Sequence, residues 1–131
     1  MRMLKEDDDN DVEVTWEDQQ QINAFSRLNN RLADVEHDLK QLHDQRDACD
    51  DLNIEIELVD EDDAVLYMIG DAFVSVHQPR ALELLESDTA RLDAEINKLK
   101  AVVEGCEEEM SKLKVNLYAK FGKSNINLER D

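Results

Sequence analysis

The sequence is poor in the residues that form turns, disulfides and membrane spans. Its 131 residues include three glycines, one proline and two cysteines, Cys49 and Cys106. Few turn residues predict few, long elements, and two cysteines do not make a disulfide scaffold. No apolar run approaches the ~20 residues of a membrane span, and the acidic start is unlike a signal peptide. We expect a soluble protein of a reducing compartment, the cytoplasm or the nucleus.

Positive charge is also scarce. There are 15 Lys and Arg residues against 33 Asp and Glu, which gives a net charge of −18. An interface with nucleic acid needs a basic face, so the sequence argues against nucleic-acid binding. With 41% hydrophobic residues the chain has enough apolar material to fold, but its 37% of charged residues predicts an elongated, mainly α-helical subunit.

Apolar residues repeat with alternating spacings of three and four in two segments, which is the heptad of a coiled coil. The first segment runs from Phe25 to Cys49, with Arg46 as its one charged member, behind a Thr15–Asp18 capping box. The second runs from Leu82 to Leu117, after Pro79 and before Gly122, a natural helix-ending residue. We expect the two helices to fold back on each other and form an antiparallel coiled coil, with Cys49 near Leu82 and Phe25 near Cys106.

Between the helices the pattern changes to two β-rich runs, 64–69 and 72–77, joined by Gly70 and Asp71. A two-residue Gly-Asp link predicts a β-hairpin. Ile54, Ile56 and Leu58 alternate with acids, which is also compatible with a short edge strand at 54–58. An isolated hairpin is marginal in water, so we expect strands of other subunits to complete a sheet or barrel. We expect one face to carry Val65, Tyr67, Ile69 and Phe73, and the other Leu66, Met68, Val74 and Val76.

No arrangement of residues predicts an enzyme, a cofactor or a metal site. The three histidines have no ligand-like spacing with either cysteine, and no glycine-rich phosphate loop is present. Asp7, Asp9 and Asp11 alternate as in a calcium loop, but the required glycine and bidentate glutamate are missing. Apolar residues do continue at the helix ends, where a coiled coil usually becomes polar. If these apolar side chains are exposed at the helix ends, they would bind apolar surfaces of other proteins weakly.

Several motifs resemble the β-type subunits of the eukaryotic prefoldin co-chaperone, and those at the two ends of the chain are specific to one of these subunits. They lie at 14–20, 22–25, 48–51, 69–73, 117–122 and 125–129.

The resemblance implies a heterohexamer of α-type and β-type prefoldin subunits whose hairpins build β-barrels. It also implies capture of unfolded actin and tubulin at the coiled-coil tips, and their delivery to the cytosolic ring chaperonin without ATP hydrolysis. The residues expected to serve assembly are Val65, Tyr67, Ile69, Phe73, Val74 and Val76. The residues expected at the client-binding tip are Trp16, Ile22, Phe25, Leu117, Phe121, Ile126 and Leu128.

The predicted layout is a disordered acidic tail (1–14), helix 1 (15–53), an acidic linker with the hairpin (54–78), helix 2 (79–121) and a C-terminal tail (122–131). One alternative function stays open, an acidic coiled-coil scaffold that binds basic proteins such as histones. Its binding would collapse at moderate salt, whereas capture of apolar segments would weaken much less.

Overall fold

The computed structural model describes residues 2–3, 13–122 and 126–128. Its elements are β1 (Arg2–Met3), α1 (Trp16–Glu57), β2 (Ala64–Ile69), β3 (Ala72–His77), α2 (Gln78–Phe121) and β4 (Ile126–Asn127). They form two compact units. The helix-end unit comprises Met1–His37 and Lys100–Asp131, and the hairpin unit comprises Asp38–Leu99. Each unit contains a part of both long helices, which confirms the prediction of a mainly α-helical chain.

The predicted capping box forms at the start of α1. The amide of Asp18 donates to Thr15 Oγ1 at 3.1 Å, and the amide of Thr15 donates to Asp18 Oδ2 at 3.0 Å. Two amides at the helix start, which have no partner within the helix, are thereby satisfied. In the same unit, Gly122 closes α2 with φ +82°, and its amide donates a hydrogen bond to the Tyr118 carbonyl at 2.9 Å. This left-handed cap is the one that the sequence predicted.

The heptad residues form the core of both units. In the helix-end unit, Phe25 and Leu32 of α1 pack in one buried cluster with Cys106, Met110 and Leu117 of α2. In the hairpin unit, Leu85, Leu92 and Ile96 are buried on α2. Within each unit the two helices run antiparallel. Asp18 pairs with Lys120 while Arg31, later in α1, lines a groove with the earlier Glu109 of α2. In the hairpin unit, Arg46 pairs with Asp93 while the later Cys49 lines a groove with the earlier Leu85.

The predicted pairing of the helices is shifted by about one heptad. Arg46 pairs with Asp93, whereas Cys49 opposite Leu82 would place Arg46 near residue 85. Phe25 shares a buried cluster with Cys106, as expected, and also borders a groove with Met110 further along α2. In addition, α1 continues to Glu57 instead of ending near residue 53.

The possible edge strand at 54–58 is wrong, since residues up to Glu57 belong to α1. The alternation of Ile54 and Ile56 fitted a strand, but on the helix only Ile56 is buried, at 2% exposure, while Ile54 is 59% exposed. Gln78 Nε2 donates to the Ile56 carbonyl at 3.3 Å and so satisfies one carbonyl at the helix end. The linker is therefore shorter than predicted.

The hairpin forms with the two-residue Gly70-Asp71 turn, and Gly70 adopts φ +62°. Ile69 pairs with Ala72, Met68 with Phe73, and Tyr67 with Val74. Directly paired residues of an antiparallel ladder lie on the same face. The expected faces are therefore wrong for β3, because Phe73 shares a face with Leu66 and Met68, and Val74 and Val76 share one with Val65 and Tyr67.

The N-terminal tail also differs from the prediction. Arg2 and Met3 form β1 and pair antiparallel with Asn127 and Ile126 of β4. Strand pairing uses backbone groups and needs no apolar side chain, so the composition of this segment did not indicate that β1 pairs with β4. The remaining acidic residues of the predicted tail up to residue 12 lie outside the described residues.

Candidate functional site

An exposed apolar surface lies on the hairpin. On one face of the ladder, Leu66, Met68 and Phe73 are 69%, 52% and 64% exposed, and near the turn Ile69 and Val74 of the other face are 48% and 39% exposed. We call these five residues the hairpin patch. Contiguous apolar surface of this kind typically marks a protein interface.

The other face of the hairpin is held by the helices. Tyr67 is buried in a cluster with Ile56, Ala81 and Leu85, against which Val65 and Val76 also pack. The Tyr67 hydroxyl donates to Asp88 Oδ2 of α2 at 2.6 Å. Burial, followed by this hydrogen bond and the charge of Asp88, raises the pKa of Tyr67 well above its usual range. Tyr67 thus remains a neutral donor that anchors the sheet and leaves the opposite face open.

The six residues predicted for assembly divide by exposure rather than by face. Ile69, Phe73 and Val74 belong to the exposed hairpin patch. Val65 and Val76 are half-buried and Tyr67 is buried, so these three attach the hairpin to its own helices. The prediction omitted Leu66 and Met68, two of the most exposed side chains. A two-residue turn fixes their register opposite Ser75 and Phe73, but register alone does not tell which face the helices leave exposed.

The second candidate region is the set of apolar side chains at the helix ends. Among the seven residues predicted there, only Trp16 is exposed, at 72%. The other six form a buried set that we call the helix-end cluster. Its members are Ile22, Phe25, Leu117, Phe121, Ile126 and Leu128. The sequence pattern does not tell whether Phe121, Ile126 and Leu128 are exposed, and the structure places all three in the core.

The C-terminal residues Ile126 and Leu128 contribute to the burial of the helix-end cluster. Ile126 and Leu128 are both 0% exposed, and the Leu128 amide donates to the Tyr118 hydroxyl at 3.2 Å. Such a fold-back depends on contacts across the turn at Gly122, and no periodic pattern in the sequence reports it. The helix-end cluster is therefore covered by the chain itself.

A buried carboxylate joins the two helices beside this cluster. Asp18, which is 7% exposed, accepts a hydrogen bond from Lys120 Nζ in the last turn of α2. The hydrogen bond from Lys120, followed by that from the Thr15 amide, lowers the pKa of Asp18 below its ordinary value of 3.8. Asp18 is thus ionised at neutral pH, where it completes both the capping box and the interhelical ion pair.

The charged residue of the first heptad is also paired. Arg46 donates to Asp50 at 2.7 Å and to Asp93 of α2 at 2.8 Å. These two carboxylates raise the pKa of Arg46 above its already high value. An arginine on the apolar seam therefore bridges the helices instead of interrupting them.

Neither cysteine is in a disulfide. Cys106 is buried in the helix-end unit, and Cys49 is half-buried in the hairpin unit. The three histidines lie at exposed positions. Over the described ranges, no group of three or more potential metal ligands comes together, and no helix is long and apolar enough to cross a membrane.

Comparisons with known proteins give one consistent result. Residues 19–124 match the family model described as prefoldin subunit. The chain is 41% identical over 130 residues to prefoldin subunit 4 of Saccharomyces cerevisiae, covering 99% of this chain and 100% of that protein. It is 45% identical over 126 residues to prefoldin subunit 4 of Homo sapiens, covering 92% and 90% of the two chains.

The fold comparison agrees. The crystal structure of the prefoldin beta subunit from Thermococcus strain KS-1 superposes with a TM-score of 0.73, covering 82% of this chain and 95% of that one. At 16% identity this match concerns the fold alone. The sequence matches extend the assignment from the fold to the family, and they confirm the resemblance that the terminal motifs indicated. The chain belongs to the prefoldin subunit family, and it is a co-chaperone subunit.

Proposed function

We propose that this subunit assembles with α-type and β-type prefoldin subunits into a heterohexamer through its hairpin. The observation that carries the proposal is the exposed hairpin patch. A two-stranded sheet with one apolar face turned to water is marginal by itself and leaves two unpaired strand edges. Strands from neighbouring subunits would cover the patch, pair with those edges and close a β-barrel.

The proposed activity of the hexamer is capture of non-native actin and tubulin and their transfer to the cytosolic ring chaperonin, without ATP hydrolysis. We place this activity in the cytosol and nucleus, reducing compartments that suit the two unpaired cysteines. Weak contacts from several subunits would act together through effective concentration, so each contact can release quickly.

Trp16 is the first client contact that we propose on this subunit. Its side chain is 72% exposed at the first position of α1, in the helix-end unit. An exposed indole offers a large apolar surface with one hydrogen-bond donor. The six residues of the helix-end cluster are buried, and their own contact with a client requires that Ile126 and Leu128 leave the core.

The test is Trp16→Ser in the assembled hexamer. Because Trp16 is exposed, we expect the hexamer to form normally and the affinity for denatured actin to fall about tenfold, equivalent to ~1.4 kcal/mol. Light scattering of diluted, denatured actin measures capture, and native mass spectrometry measures assembly. The matched control is Leu58→Ser, since Leu58 is 82% exposed in the hairpin unit. Undiminished capture by the Trp16 variant would contradict the assignment, and a broken hexamer would make Trp16 structural.

A further inference from the structure

A groove in the helix-end unit has a chemistry opposite to that of the whole chain. It lies between α1 and α2 and has a volume of about 490 Å³. Ala24 and Leu28 of α1 and Leu113 of α2 supply its apolar side chains. Leu28 and Leu113 are only partly buried against the core, so apolar surface remains available in the groove.

Three cations surround this apolar surface. Arg27 and Arg31 line the groove from α1, and Lys112 lines it from α2, together with one acid, Glu109. Lys112 contacts Glu108 at 3.7 Å, with both side chains more than 70% exposed. Across the described part of the chain, neither arginine has a carboxylate within 4 Å. Two exposed guanidinium groups are thus left without an ion-pair partner in a protein that carries 33 acids.

The sequence around the arginines is depleted in acids. The fifteen residues from Gln19 to Ala33 contain no Asp or Glu. With 33 acids among 131 residues, a stretch of this length would hold about four. The surplus of positive charge is therefore a property of this part of α1, and it coincides with the groove.

We propose that this basic groove binds acidic amphipathic helices of client polypeptides. The proposal rests on the client-capture function above and specifies one class of segment that this subunit takes. Apolar side chains of the client helix would cover Leu28 and Leu113, and its carboxylates would pair with Arg27, Arg31 and Lys112.

The geometry favours a helix as the occupant. A groove between two antiparallel helices accepts a third helix by the same side-chain packing that joins the first two. Arg27 and Arg31 are four residues apart, about 6 Å along the axis at ~1.5 Å per residue. Carboxylates four residues apart on a client helix have the same spacing, and both pairs can form together. Arginine suits this role because its planar group can bind a carboxylate with two hydrogen bonds.

The experiment measures binding of a fluorescent amphipathic peptide to the assembled complex by anisotropy. The probe is a helical peptide with leucines on one face and glutamates flanking them, and a second peptide has glutamine in place of every glutamate. Arg27→Gln with Arg31→Gln should weaken binding of the acidic peptide about three- to tenfold, the range for two exposed charge pairs. Binding of the glutamine peptide should stay unchanged.

Two matched variants separate the groove from general charge. Lys40→Gln with Lys98→Gln removes the same charge at exposed positions outside the groove and should leave binding unchanged. Arg27→Lys with Arg31→Lys keeps the charge but not the two-hydrogen-bond geometry, so it should lose less affinity than the glutamine variant without matching the parent.

Several outcomes would overturn the proposal. If Lys40→Gln with Lys98→Gln lowers the affinity for the acidic peptide equally, the effect of the arginine variant comes from net charge and not from the groove. Binding that appears only when Asp7, Asp8, Asp9 and Asp11 are changed to Asn would make the chain's own acidic segment the occupant. A dimer that dissociates in the arginine variant, seen by sedimentation, would make a second copy the occupant. If the arginine variant still captures denatured actin and binds the acidic peptide as tightly as the parent complex does, the groove proposal fails while the proposed function stands.

Discussion

The exposed hairpin patch predicts a specific failure of assembly without a failure of folding. Leu66 and Phe73 are 69% and 64% exposed, so about two thirds of each side chain makes no contact within this subunit. Full burial of such a side chain stabilises by about 1.5 to 3 kcal/mol. If neighbouring strands bury the remaining surface, each residue contributes about 1 to 2 kcal/mol to assembly. The double variant Leu66→Thr with Phe73→Thr should therefore weaken assembly by about 2 to 4 kcal/mol, or ~30- to 1000-fold.

Threonine is chosen because it keeps the β-propensity of the strands. Native mass spectrometry of the complex reconstituted with the other subunits measures assembly, and circular dichroism follows unfolding of the free subunit. We expect loss of the hexamer with less than about 1 kcal/mol change in the subunit's own stability. The control is Val115→Thr, at a position 64% exposed on α2 away from the hairpin. Normal hexamer yields from the double variant, or an equally large loss of subunit stability, would refute the reasoning.

Three further predictions concern stability. Tyr67→Phe removes the hydrogen bond to Asp88 and should lower the free energy of unfolding by about 1 to 2 kcal/mol in urea titrations, since Asp88 is half-exposed and can be hydrated. Because Lys120 and the helix start lower the pKa of Asp18, its stabilisation is present above the unfolded pKa near 4 and is lost as pH falls through the lower folded pKa. Asp18→Asn should thus be less stable than the parent at pH 7, with the difference shrinking below pH ~4. Gly70→Ala places a side chain at φ +62° with nothing within 4 Å, so melting curves should show only a backbone cost of about 1 to 2 kcal/mol.

The features that follow from local pattern were predictable. The capping oxygen of Thr15, the left-handed cap at Gly122 and the turn at Gly70 each depend on a few neighbouring residues. The heptads likewise predicted which side chains enter the seam, Leu32 and Leu92 among them. These predictions need only residue types and spacings, both of which the sequence contains.

The features that depend on distant contacts were not predictable in the same way. Burial of Leu128 needs Tyr118 as a partner across the turn, and exposure of Leu66 depends on which face of the hairpin its own helices cover. Ile56 fitted both a strand and a helix, and its place in the core with Tyr67 decided between them. That choice lengthened α1, which ends at Glu57.

The central claim is that the chain is one subunit of a heterohexamer built through its hairpin. The most direct measurement is native mass spectrometry of the complex recovered from cell extract with this chain as bait. We expect a single hexamer of small, different subunits, with a mass near six times that of this 15.1 kDa chain. A homodimer or an unassembled monomer would contradict it.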